Sequence, residues 1–132
     1  VETLDYLLKG GRISKTAATF GSILGIKPII AVNNEGVLTA IEKVRGRKAS
    51  IERIIERTGE VGCHLESQVI AVVHADCADT AEEIKKELIK RYHCRDVIIG
   101  EIGCAIGAHI GPGALGIVCQ TAMDTRFENY LK

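Results

Sequence analysis

Neither sign of charge is in excess, because Lys plus Arg and Asp plus Glu each number 17 among 132 residues. That balance argues against a partner recognised by bulk charge, such as duplex DNA or an anionic membrane surface, since such binding needs many phosphate-neutralising cations. It leaves room for a local anion site. Long hydrophobic runs are missing as well, and none approaches the ~20 apolar residues that span a bilayer. The opening residues Val1-Glu2-Thr3-Leu4-Asp5 lack the basic and apolar regions of a signal peptide. With no initiator methionine and a helical pattern that begins at once, they read as the edge of a longer protein. Cys-x-x-Cys is absent too. The five cysteines, Cys63, Cys77, Cys94, Cys104 and Cys119, are odd in number and widely spaced. A disulfide framework is therefore not expected, and a reduced, cytoplasmic setting is.

What remains is an ordinary globular composition, 46% hydrophobic and 26% charged, of a length that suits one domain. Leu4, Leu7 and Leu8 recur at helical spacing up to Gly10-Gly11. Ser14 is a candidate N-cap for a second helix through Leu24, whose middle is small: Ala17, Ala18, Gly21 and Ser22. Residues 28–44 predict a β-hairpin turning at Asn33-Asn34-Glu35-Gly36. Ile51, Ile54 and Ile55 mark an amphipathic helix over 47–58, stopped by Gly59. Residues 69–73 are a short, β-branched apolar run and predict a buried strand. Asp79 or Thr80 caps a helix to Tyr92 with Ile84 and Leu88 on its apolar stripe, and strands follow at 97–99 and 115–119. Helices and strands alternate only in part, so the expected class is α/β, a mixed sheet of about five or six strands covered by helices. Residues 1–120 form the domain, and 121–132 a polar tail.

The densest chemical signal is residues 102–116, IGCAIGAHIGPGALG. Glycines admit positive φ and close backbone approach, and His109, the one histidine there, can donate to an oxyanion. A tight helix-to-strand corner with a surface histidine explains the same letters. Gly111-Pro112-Gly113-Ala114-Leu115-Gly116 spells G-x-G-x-x-G, but a dinucleotide site needs a strand before it and a helix after it, and here a strand follows. Arg12, between Gly11 and the Ser14 helix start, can reach an anion or a partner carboxylate, or remain an exposed cap residue. Lys43-Val44-Arg45-Gly46-Arg47-Lys48 is a solvated basic corner or a docking patch. His74 and Cys77 have no matching second pair, so no metal is expected.

Taken together, LDYLLKGGRIS at 4–14, GSILGIKPII at 21–30, KVRGRKAS at 43–50, VVHAD at 72–76 and IGAHIGPGALGI at 106–117 resemble, in order, the C-terminal half of the DegV family of bacterial lipid-binding proteins. The resemblance implies a two-domain carrier that holds a long-chain fatty acid and presents it to a fatty-acid kinase subunit. It implies a binding protein and not an enzyme, with the bound fatty acid as its ligand and no cofactor. The carboxylate would be gripped by His109 together with hydroxyl groups of the N-terminal DegV domain. Arg12 and Arg45 would contact the headgroup or the partner. Ala17, Phe20, Gly21, Leu24 and Ile106 would line the acyl slot. At ~0.8 kcal/mol per buried CH₂, a long acyl chain contributes on the order of 10 kcal/mol before ordering costs. Two other readings stay open: a small-molecule enzyme using His109 as acid/base beside a glycine-lined anion hole, and a regulatory interaction module.

Overall fold

The computed structural model describes residues 1–13, 25–32 and 35–121. In chain order these form α1 (Asp5–Lys9), β1 (Ile26–Val32), β2 (Leu38–Arg45), α2 (Arg47–Val61), a 3-10 turn (Leu65–Ser67), β3 (Val69–His74), α3 (Ala78–Tyr92), β4 (Asp96–Glu101), α4 (Cys104–Ile110) and β5 (Leu115–Val118). The α/β class and the mixed sheet are both present. Strand β3 lies central, parallel to β4 and antiparallel to β5. The five described strands do not share one sheet, however. β1 and β2 form a separate antiparallel hairpin, with an irregularity between Ile29 and Ile30. Helix α2 touches both the hairpin and β5, and so stands between the two sheets.

The main core is built from alternation on β3 and the stripe of α3. Ile70 and Val72 on β3, Val97 on β4, and Ala81, Ile84 and Leu88 on α3 are all buried, joined by Ile55 of α2. A smaller cluster of Leu4, Leu7 and Ile13 is covered by Ile30, Leu38 and Ile110, and this brings α1 against the hairpin and α4.

Two helix limits differ from the sequence reading. Helix α2 continues through Gly59 to Val61 and is capped at Gly62. Gly59 serves packing there: a Cβ on it would stand 2.6 Å from Cε1 of Tyr92, whose hydroxyl donates a 2.9 Å hydrogen bond to the Ile55 carbonyl. Helix α3 begins at Ala78 with Cys77 as N-cap and no side-chain cap bond, so neither Asp79 nor Thr80 caps it. The Cys77 N–H is instead directed to Nδ1 of the buried His74, at 3.4 Å. The helix expected from Ser14 to Leu24 lies outside the described residues, as do Asn33-Asn34 of the hairpin turn and the tail beyond Thr121.

Candidate functional site

Three backbone hydrogen bonds bring the glycine-rich corner to the exit of β3. Ile102 N–H donates to the His74 carbonyl at 2.8 Å, Gly113 N–H to Ala75 at 2.7 Å, and Ala75 N–H to Ala114 at 2.9 Å. Between these anchors run α4 and a tight turn in which Gly111 and Gly113 hold φ of 79° and 73°. Only glycine takes such angles without strain, which is why this sequence can double back here. The expected short helix and turn are therefore present.

His109 stands in the last turn of α4, partly buried, with its imidazole packed on Gly10 at the end of α1. Arg12 is exposed and donates a 2.7 Å hydrogen bond to the Gly10 carbonyl. The histidine and the first arginine thus converge on one residue. Two further contacts continue along the same line: the Tyr6 ring covers Gly111, and the Glu2 side chain covers Gly113. At that far end Arg47, the first residue of α2, donates to the Gly113 carbonyl at 2.6 Å and to the Glu2 carboxylate. Lys27 pairs with the same carboxylate. Partial burial alone would raise the Glu2 carboxyl, but the hydrogen bond from Lys27 and the charge of Arg47 outweigh it and hold it below its ordinary range.

An apolar groove of about 860 Å³ opens between the hairpin, α2 and β5. Ile29 and Val32 form one wall, Ile51 and Ile54 a second, and Ile117 and Val118 the third. Arg47, Arg57 and Glu60 supply charge along its rim. Its volume falls within the ~300–1,000 Å³ of small-molecule sites. Neither His109 nor Ile106 lines it. Ile106 is 62% exposed on α4, and the other acyl-slot residues, Ala17, Phe20, Gly21 and Leu24, lie outside the described residues. Arg45 is exposed at the end of β2, opposite Ile26. Sequence reasoning missed the groove and Glu2, and read Arg47 only as part of a basic corner. The isoleucine spacing of α2 and the apolar run of β1 signalled buried faces, but nothing local says that those faces stop short of one another.

A smaller polar cleft of about 330 Å³ lies at the ends of β3 and β4, lined by His74, Asp76, Cys77, Asp79, Thr80 and Glu101. Among the described residues no group of three or more His, Cys, Asp or Glu is arranged to hold a metal ion. No helix among them is long and apolar enough to cross a membrane.

The family model described as "Uncharacterised protein, DegV family" matches residues 1–122. The chain belongs to the DegV family. A DegV domain-containing protein of Clostridium perfringens is 38% identical over 117 residues, covering 89% of this chain and 40% of its own length. Among solved structures, a fatty acid binding DegV family protein from Streptococcus agalactiae superposes with a TM-score of 0.75 at 35% identity, over 92% of this chain and 43% of its own. A DegV family protein from Eubacterium eligens, loaded with heptadecanoic acid, superposes with a TM-score of 0.80 at 26% identity, over 92% and 43%. The chain therefore spans about two fifths of the length of these DegV relatives.

Proposed function

We propose that this chain binds a long-chain fatty acid, as the C-terminal domain (residues 1–120, with a polar tail at 121–132) of a two-domain cytoplasmic carrier. The apolar groove carries this reading. It is a slot between two sheets, walled by aliphatic side chains, in a chain whose structural relatives bind fatty acids. The acyl chain lies along the groove. His109 precedes the groove-lining Leu115 by six residues, and its imidazole is able to donate to a carboxylate at the polar end of the ligand.

In this proposal His109 is a carboxylate ligand that acts with hydroxyl groups of an N-terminal DegV domain. Arg12, which shares Gly10 with His109, serves the headgroup, and Arg45 meets a fatty-acid kinase subunit. The protein's part is binding and presentation; phosphoryl transfer belongs to the kinase.

Organic extraction of the purified intact protein, followed by lipid identification, tests the ligand class. A fatty-acid titration of wild type and His109→Ala tests the residue. Loss of one charge-assisted hydrogen bond should weaken affinity roughly 10- to 150-fold while hydrophobic binding of the tail survives. Equal affinities would remove His109 from the site. Turnover of a small substrate that is lost with His109 would favour the enzyme reading instead.

A further inference from the structure

The contacts between the start of the chain and the glycine corner follow a register. Glu2 covers Gly113, Tyr6 covers Gly111, and Gly10 receives His109. Positions advance by four on one side and retreat by two on the other, so the two segments run antiparallel along a single seam. Each glycine leaves room for the side chain that lies on it. A Cβ at Gly111 would stand 2.7 Å from Cε2 of Tyr6, and one at Gly113 would stand 2.9 Å from Cγ of Glu2. His109 is the last tooth of this seam, and its ring has no bond of its own among the described residues to fix its height along α1.

The other end of the seam is fastened. Nη1 of Arg47 donates both to Oε1 of Glu2 and to the Gly113 carbonyl, and so ties the two sides together at their first contact. Its Nη2 lies 3.8 Å from the Cys77 sulfur at the head of α3. Gly46, just before it, takes φ 90° and sends its N–H to the Gly25 carbonyl at 2.8 Å, which anchors the arginine's backbone to the hairpin. The two N–H groups of Nη1 serve the carboxylate and the carbonyl, and the rigid guanidinium plane is held on its other side by the approach of Nη2 to Cys77; a lysine ammonium can donate twice, as Lys27 does to Glu2, but has no such plane to fix the two acceptors relative to α3.

We infer that Arg47 is a positioning residue for His109: with Glu2 it clasps the seam at Gly113 and thereby sets the register that places the imidazole against Gly10. The clasp follows from the contacts alone. Its value for ligand binding rests on the proposed role of His109. The two claims are tested by separate arms of one experiment.

The first arm reads the histidine. In Arg47→Lys and in Glu2→Gln, the Cε1–H resonance of His109 at fixed pH should shift together with the Gly113 amide. The resonances of His64 and His93, away from the seam, should stay in place. Arg57→Lys, a change on the same helix at a residue paired with Glu60, should move neither His109 nor Gly113. A folded Arg47→Lys or Glu2→Gln protein whose His109 resonance is unmoved overturns the inference; if one variant fails to fold, the other decides.

The second arm reads affinity in the intact protein. Arg47→Lys should weaken fatty-acid binding about 3- to 30-fold, and the Arg47→Lys/His109→Ala double variant should bind no worse than His109→Ala alone, because coupled neighbours are not additive. Additive losses would mean that Arg47 acts in the groove and not through His109. Unchanged affinity in His109→Ala would sink the carboxylate role while leaving the clasp to the resonance arm.

Discussion

Gly10 and the His109 imidazole occupy adjoining space so closely that a Cβ on Gly10 would overlap Nδ1 and stand 2.9 Å from Cε1. The backbone at Gly10 is right-handed, φ −78° and ψ −3°, so no conformational need keeps glycine there. Alanine would even be favoured locally by ~1 kcal/mol. The contact decides the matter. We expect Gly10→Ala to destabilise the fold by about 1–3 kcal/mol as the ring is forced aside. Gly11→Ala is the contrast: its φ of 69° is strained for any side chain, yet nothing lies within 4 Å. Both variants should lower the thermal midpoint, and only Gly10→Ala should move the His109 resonance.

The groove can be tested without disturbing the core. Val32 and Val118 line it and are 66% and 59% exposed. Exposed substitutions of this kind usually change stability by less than ~0.5 kcal/mol. A carboxylate at either position would face the acyl chain. Val32→Glu and Val118→Glu should therefore keep the urea midpoint of the wild type and bind fatty acid at least ~10-fold more weakly, each lost CH₂ contact counting for up to ~0.8 kcal/mol. Wild-type affinity in both variants would remove the groove as the acyl slot.

Acid should loosen the seam before it unfolds the core. The Glu2 carboxyl is held below its ordinary value of 4.5, burial being outweighed by Lys27 and Arg47. A depressed carboxylate contributes stability that is present above the unfolded value and lost as pH falls through the folded one. That contribution should be complete above about pH 5 and fade below it. Glu42, Glu52 and Glu60 are shifted the same way by hydrogen bonds from Arg53 and Arg91, and they titrate alongside. Denaturation midpoints between pH 3 and 7 should fall on the acid side, and Glu2→Gln should lessen that fall. An identical acid limb in Glu2→Gln would show that the Glu2 ion pairs are energetically idle.

Arg45 and Arg47 sit two residues apart but face different work. Arg45 is exposed on β2, whereas Arg47 is tied into the seam. With a fatty-acid kinase subunit, Arg45→Ala in the intact protein should slow acyl-phosphate formation while fatty-acid affinity stays near that of wild type. Lost lipid affinity with unchanged acyl-phosphate formation would reverse the assignment.

Much of the fold was legible because it rests on local periodicity. Ile51, Ile54 and Ile55 wrote one helix, Ile84 and Leu88 another, and β-branched residues around Val72 the central strand. The glycines around His109 marked a helix and a tight turn before any contact was known. Their physical cause, positive φ, acts within a few bonds of the chain. The same local rule misread Gly59, which looks like a helix stop and is a seat for Tyr92, 33 positions further along.

The assembly of the candidate site was not legible in the sequence: the groove is lined by none of the described residues singled out for it. Sequence by itself determined most of the described helices and strands, though not all their limits, together with the family resemblance and the singling out of His109. Tertiary structure decided that the hairpin stands apart from the three-stranded sheet, that an apolar groove opens between them, and that Arg47 joins Glu2 to Gly113 across 45 and 66 positions of chain. Such contacts leave no periodic trace. They depend on how finished elements pack, and packing answers to volume and complementary charge over distances that no window of sequence contains.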